Sequence, residues 1–265
     1  MAVRQTPEGA VLWAKDRMRS ANENTEVNRA QRTYARLAGI LLLGAIIIAS
    51  GGGAILSHIA GNGTFAETAA RIAASERLYR VALSSVVLVT LSSTLLAFAL
   101  YVTLKPVNSL LAQLGMIFSL GDSFLALIVR MCSFVRLHLY ISARGAGAGS
   151  ITVELLSDLI RTIAGSSENI GGISFGIGSF LFFYLFFTSR YIPRVISAFG
   201  FVASVIWTGL YFASLIFPER HSLLQYICFP PLAAAEVATG FYLMLFAVGT
   251  VSKTPAAPAP SAVDV

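Results

Sequence analysis

Charged residues are scarce in this chain. Only 12% of its 265 residues are Asp, Glu, Lys or Arg, whereas soluble domains carry about 25%. Hydrophobic residues make up 56% of the chain, and its mean hydropathy is +0.74. This balance excludes an ordinary soluble globular domain and predicts a membrane protein.

Cysteine and histidine are also rare. Cys132 and Cys228 are too few and too far apart for a disulfide scaffold or a CxxC metal site, and whether they pair is left open. His58, His138 and His221 fall near the ends of apolar segments, but no two share a helix at ligand spacing. The sequence therefore predicts no metal site and no cofactor, and leaves open whether these histidines converge.

The formal net charge is +6, but no nucleic-acid-binding motif is present and the basic residues flank apolar segments. The lipid bilayer is therefore the predicted partner, not a nucleic acid, and no protein partner is identified. A cleavable signal peptide is not predicted, because the first apolar run begins only near residue 37 and is long enough to stay in the bilayer.

Six stretches approach or exceed the length of about 20 residues that crosses a hydrocarbon core. The predicted fold class is therefore an all-α, polytopic membrane helix bundle with six transmembrane helices, forming one domain over residues 36–250. The predicted spans are 37–59, 81–104, 108–131, 172–189, 194–217 and 223–250. Residues 251–265 are rich in proline and alanine, which predicts a disordered tail.

Residues 1–35 are predicted to form a basic cytoplasmic tail, with residues 10–18 as a candidate amphipathic helix. Further amphipathic helices are expected on the outer surface at 61–79 and at 151–163, the latter in a long connection. An orientation with the N-terminus inside places more of the 19 Lys and Arg residues on the inner side. This favours a multi-pass protein of the cell (inner) membrane with both termini in the cytoplasm.

Two acidic residues lie within the predicted spans. Glu236 is near the middle of the sixth, and Asp122 shares a small, polar face of the third with Ser119. Carboxylates are unfavourable in hydrocarbon and usually mark functional sites that face the bundle interior. At a rise of 1.5 Å per residue, the two acids lie about 15 and 12 Å below the outer membrane face. They are therefore expected to be neighbours, with the third and sixth helices meeting through small-residue faces.

Asp122, Glu236 and Ser119 are thus the candidates for ligand binding or a proton relay. Two carboxyl groups in one apolar site cannot both ionise cheaply, so at least one is expected to take up and release protons. The favoured function is binding or transport of a small or amphiphilic molecule. An intramembrane enzyme acting on a lipid-like substrate, with no catalytic residue identified, and a membrane partner or sensor subunit stay open, as does a purely structural role for the acids.

The segment SRYIPRVISAFG, preceded by FGIGSFLFFYLFF, and the later segment LAAAEVATGFYLMLFAVG resemble the bacterial membrane proteins known as the domain of unknown function 4386 family. The resemblance covers residues 36–249 and implies a six-helix membrane domain without an established activity. It implies that the family's acid in the last helix is Glu236. The family's third-helix glutamate and the arginine three residues before it fall on Asp122 and Ser119, so this chain lacks that arginine.

Overall fold

The computed structural model describes residues 7–145, 151–217 and 221–248, with side chains for 29–143, 151–217 and 226–248. This part of the chain is all-α, and the tail predicted for 251–265 lies outside it. The helices are α1 (Pro7–Ala60), α2 (Phe65–Ala74), α3 (Glu76–Leu104), α4 (Ser109–Gly145), α5 (Ile151–Ser189), α6 (Arg194–Ile216) and α7 (His221–Phe246). All except α2 contain a stretch long and apolar enough to cross a membrane. The predicted multi-pass helical fold is thus confirmed.

The six long helices form a closed ring. Each packs against the next in chain order, from α1 and α3 through α4, α5 and α6 to α7, and α7 packs back against α1. Large apolar side chains such as Ile47, Val195 and Phe246 remain exposed on the outside of the ring, where lipid tails would cover them. Helices suit this environment because each satisfies its own backbone hydrogen bonds.

The ring closes where two glycines bring α1 and α7 together. A Cβ atom at Gly39 of α1 would lie 2.6 Å from the backbone nitrogen of Met244 in α7. A Cβ atom at Gly240 would lie 2.9 Å from the Leu43 side chain. Only glycine allows these backbones to approach so closely, and such small-residue contacts drive helix association in membranes.

Glycines of α5 form a packing seam against α6. A Cβ atom at Gly176 or Gly172 would collide with Thr208 or Tyr211 of α6. The indole Nε1 of Trp207 also donates a hydrogen bond of 3.0 Å to the Gly172 carbonyl oxygen. The GxxxG sequence from Gly172 to Gly176 in α5 is therefore a helix-packing element.

Several helices are much longer than a bilayer requires. At 1.5 Å per residue, α4 with 37 residues and α5 with 39 extend about 55 and 58 Å, compared with about 30 Å of hydrocarbon. The expected separate surface helix at 151–163 was wrong, because its apolar face continues into the fourth span without a helix-breaking proline. Likewise, α1 runs from Pro7 without a break, so residues 10–18 belong to the helix of the first span.

A helix is present within the predicted range 61–79 as α2, but it ends at Ala74, and residues 76–79 belong to α3. α2 packs on α1, α3 and α4 at one end of the ring. Thr64 and Glu67 form a capping box at its N-terminus. The Arg71 guanidinium donates hydrogen bonds of 3.0 and 2.7 Å to the Ala60 carbonyl oxygen, the last of α1. Ile72 is fully buried beneath it. We call this the α2 end of the ring.

The opposite end is held by Gln31 of α1. Its Nε2 donates hydrogen bonds of 2.8 Å to the Thr103 carbonyl oxygen and 2.7 Å to the Tyr191 hydroxyl. Tyr191 lies in the α5–α6 turn, where Arg190 adopts a φ of 58° and turns Tyr191 into the core. Burial raises the pKa of Tyr191, although the hydrogen bond from Gln31 opposes the shift, so the phenol is neutral at physiological pH. We call this the Gln31 end.

Replacement of Tyr191 by phenylalanine should destabilise the Gln31 end. The buried Gln31 amide loses one of its two acceptors, which should lower the free energy of unfolding by about 1 kcal/mol. Thermal unfolding in a mild detergent measures the change. Tyr226→Phe is the matched control, because Tyr226 is 82% exposed whereas Tyr191 is 3% exposed. Equal unfolding midpoints for the two variants would contradict this role of Tyr191.

Candidate functional site

A cavity of about 250 Å³ lies inside the ring and is lined by α1, α3, α4, α5 and α7. Most of its wall is apolar, formed by Leu42, Ala45, Ile46, Ala49, Val89, Leu96, Ala97, Leu100, Phe175, Phe182, Phe183, Phe186 and Phe229. The polar residues in the wall are Ser50, Ser93, Ser119, Asp122, Ser123, Ser179, Glu236 and Thr239. The cavity therefore combines a large apolar surface with a small polar one.

The three candidate residues, Asp122, Glu236 and Ser119, all line this cavity. The two acids are close enough for the charge of Asp122 to act on Glu236. They approach each other through the cavity, since the main packing partners of α4 are α3 and α5, and those of α7 are α1 and α6. The expected packing of the third helix on the sixth is thus not observed.

The small-residue face of α4 packs on α5 instead. A Cβ atom at Gly171 of α5 would lie 3.2 Å from Asp122 Oδ1, and one at Gly178 would lie 2.7 Å from Ser119 Oγ. Glycine at these two positions leaves room for the polar side chains of α4. Ser119 therefore lies in the α4–α5 seam at the margin of the cavity, where any side chain larger than that of glycine at position 178 would meet it.

Two hydroxyl groups beside the acids are buried without a hydrogen-bond partner among the described residues. They belong to Ser123, which follows Asp122, and to Thr239, one helical turn after Glu236. Most other buried hydroxyls, such as those of Thr90 and Ser204, donate to the carbonyl four residues earlier. Buried polar groups normally have partners, so these two hydroxyls retain bonding capacity next to the acids.

Arg130 lies outside the cavity wall but acts on the site, and sequence reasoning did not connect it with the acids. It lies two turns beyond Asp122, and the charges of Asp122 and Glu168 both act on it. Its Nε is buried without a hydrogen-bond partner among the described residues. The eight-residue spacing from Asp122, which places both residues on a similar face of α4, was the signal available in the sequence.

A family model described as a domain of unknown function, DUF4386, matches residues 37–247. The chain belongs to this family. The arginine expected from the family pattern one turn before the third-helix acid is Ser119 here, and Arg130 is the cation that acts on Asp122 instead. No curated protein and no solved structure matches the chain significantly.

The cysteines and histidines do not form a second site in the described part of the chain. Cys132 and Cys228 are both buried and free. His58 and His138 are exposed, and the side chain of His221 lies outside the described residues. Among the described residues, no group of three or more His, Cys, Asp or Glu side chains is placed to hold a metal ion.

A double-mutant cycle should detect the interaction between Arg130 and Asp122. Arg130→Gln leaves Asp122 without its cation, and a further Asp122→Asn change should restore part of the lost stability. We expect a coupling of about 1 kcal/mol, because charges interact more strongly away from water. Unfolding of the four proteins in lipid nanodiscs provides the measurement.

Arg161 and Asp158 supply the matched control cycle. Their ion pair is 3.0 Å long, but the side chains are 66% and 54% exposed. Such surface pairs usually contribute about 0.5 kcal/mol or less. A coupling between Arg130 and Asp122 no larger than that of the surface pair would refute the assignment.

Proposed function

We propose that this DUF4386 protein binds, and in its working cycle transports, a small amphiphilic molecule in the cavity inside its helix ring. The observation that carries the proposal is the composition of the cavity wall. Apolar side chains from α1, α3, α5 and α7 line the cavity together with a polar cluster that includes Asp122, Glu236, Ser123 and Thr239. A ligand with an apolar body and a polar head matches both parts of that surface.

The size of the cavity supports this proposal. A dry cavity of about 150 Å³ is large enough to bind benzene, and this one measures about 250 Å³. Ligand pockets in proteins are typically apolar, with a few polar groups that orient the ligand. The cavity is thus suited to a short alkyl chain or an aryl ring carrying one polar group.

The hydrogen bonding of the acids argues against a purely structural role. A structural carboxyl group in a bundle normally accepts hydrogen bonds from neighbouring side chains or backbone. In the described part of the chain, neither Asp122 nor Glu236 has such a bond, although Ser123 and Thr239 are nearby and unpartnered. These carboxyl and hydroxyl groups are therefore available to form hydrogen bonds with a ligand.

The two ends of the ring suggest how a bound molecule could move. Contacts of Gln31 hold one end, and α2 packs on α1, α3 and α4 at the other. Transport would open these ends in turn around a fixed central site, as in carriers that alternate access. The cavity between them would be the central site.

A cavity-filling variant tests the binding site. Ala49→Phe places a phenyl ring in the cavity wall, whereas Ala54→Phe adds the same ring to an exposed position of the same helix. We expect Ala49→Phe to abolish binding of 8-bromooctan-1-ol and Ala54→Phe to retain it. Quenching of Trp207 fluorescence by the bromine reports binding, because Trp207 is close to the cavity. Its ring centroid lies 5.8 Å from that of Phe175 and 6.4 Å from that of Phe229, and both phenylalanines line the cavity.

The experiment uses a Trp13→Phe background in nanodiscs, which leaves Trp207 as the one tryptophan. Trp207 is only 6% exposed, so quenching by probe dissolved in lipid should be weak. Folding of each variant is checked by its unfolding midpoint. Equal quenching in Ala49→Phe and Ala54→Phe would remove the cavity as the binding site.

We further propose that the Gln31 end faces the cytoplasm in the cell (inner) membrane. In the sequence, 11 Lys and Arg residues flank the spans on that side and 8 flank them on the α2 side, and an excess of Lys and Arg near span ends favours the cytoplasmic side. Both termini would then be cytoplasmic.

Labelling of introduced cysteines in intact cells tests this orientation. Asn62→Cys at the α2 end should react with a membrane-impermeant thiol reagent, whereas Lys105→Cys at the Gln31 end should react only after permeabilisation. Both positions are exposed, and the two natural cysteines are buried. The reverse labelling pattern would invert the topology.

A further inference from the structure

The polar part of the cavity has a single sign of charge. Two carboxyl groups line it, and among the described residues no lysine, arginine or histidine does. Arg130, the cation that acts on Asp122, lies outside the cavity wall and also interacts with the charge of Glu168. Arg130 therefore neutralises Asp122 only in part, and Glu236 has no described cation acting on it.

The hydroxyls of Ser123 and Thr239 add neutral oxygen atoms to this surface. They are 4% and 3% exposed, and both lack a hydrogen-bond partner in the described part of the chain. Carboxylates only accept hydrogen bonds, and hydroxyl oxygens accept as well. The cluster thus presents mainly acceptors, which a ligand must meet with donors.

An ammonium group has the complementary properties. It carries a positive charge and several N–H donors and accepts no hydrogen bond. An anionic head would meet two carboxyl groups and be repelled, which selects against fatty acids and phosphate esters. An uncharged alcohol could bond to the cluster but would gain nothing from its charge.

The remaining wall favours an organic cation over an inorganic one. Hard cations such as Ca²⁺ take six to eight oxygen ligands, whereas most of this wall is apolar. The rings of Phe175, Phe182 and Phe186 also line the cavity, and aromatic faces attract organic cations. The apolar surface then accommodates the carbon skeleton of the ligand.

Building on the proposed function, we propose that the ligand is an amphiphilic amine. Its ammonium group binds between Glu236 and Asp122, with N–H donors to Ser123 and Thr239, and its apolar body lies along the phenylalanine side chains. Glu236 is the main anchor, because Arg130 already compensates part of the charge of Asp122.

The test compares two probes that differ only in the head group, 8-bromooctylamine and 8-bromooctan-1-ol. Both are added to the Trp13→Phe protein in nanodiscs of phosphatidylcholine, and Trp207 quenching is measured against probe concentration in the membrane. Charge-assisted hydrogen bonds should let the amine half-saturate at a concentration about tenfold lower than the alcohol. Nanodiscs containing Ala49→Phe correct both curves for quenching by probe dissolved in lipid.

Substitutions of the carboxyl groups then identify the source of this preference. Glu236→Gln should abolish most of the tenfold difference and Asp122→Asn a smaller part, while binding of the alcohol persists and shows that the site is folded. Glu236→Asp, which keeps the charge, and Asp158→Asn, an exposed acid outside the cavity, should retain the preference. Should Glu236→Gln lose alcohol binding as well, the comparison rests on Asp122→Asn and Glu236→Asp.

The outcomes separate this inference from the proposed function. If both probes quench with equal affinity, or if the preference survives in the Glu236→Gln, Asp122→Asn double variant, the cavity binds amphiphiles without selecting amines and the inference is wrong. If neither probe quenches more strongly than in Ala49→Phe, the binding site itself is absent and both proposals fail.

Discussion

The architecture depends on the contact between the first and last membrane helices. Gly39 and Gly240 let α1 and α7 approach until their backbones nearly touch, and this contact converts a row of six helices into a ring. Without it, the cavity would open to lipid and its carboxyl groups would face hydrocarbon, where charge is costly. The polar interior is therefore protected by a van der Waals contact that involves no polar side chain.

The same use of glycine recurs along α5. Gly171 and Gly178 leave room for Asp122 and Ser119 on one side, and Gly172 and Gly176 accept Tyr211 and Thr208 on the other. Polar side chains of α4 and α6 thus sit in the seams against α5. The glycines of α5 therefore allow close helix packing and also leave room for side chains of the site. Substitution of Gly171 or Gly178 would disturb both the packing of α4 on α5 and the position of Asp122 or Ser119.

Arg130 changes the meaning of the departure from the family pattern at Ser119. Loss of an arginine one turn before the acid would leave a carboxyl group without a cation. In this protein a cation acts on Asp122 from two turns further along the helix, where it is shared with Glu168. The cation that acts on Asp122 thus lies outside the cavity wall, and the lining contains two acidic residues and, among the described residues, no basic one.

The sequence by itself determined the class of the protein, because apolar runs of membrane length and scarce charge permit only a helical bundle in a bilayer. It also determined the family, the six spans and the residues Asp122 and Glu236, since acids within such runs are conspicuous. Local periodicity likewise predicted a short helix at the position of α2.

Only the tertiary structure decided which helices are neighbours. Periodicity shows which face of a helix carries small or polar residues, but not which helix packs against that face. The small-residue face of α4 was therefore assigned to the sixth helix, whereas it packs on α5. The ring order, the cavity, the unpartnered Ser123 and Thr239 and the role of Arg130 all follow from contacts between residues distant in the chain. Those contacts are set by packing between helix surfaces, which no single segment specifies.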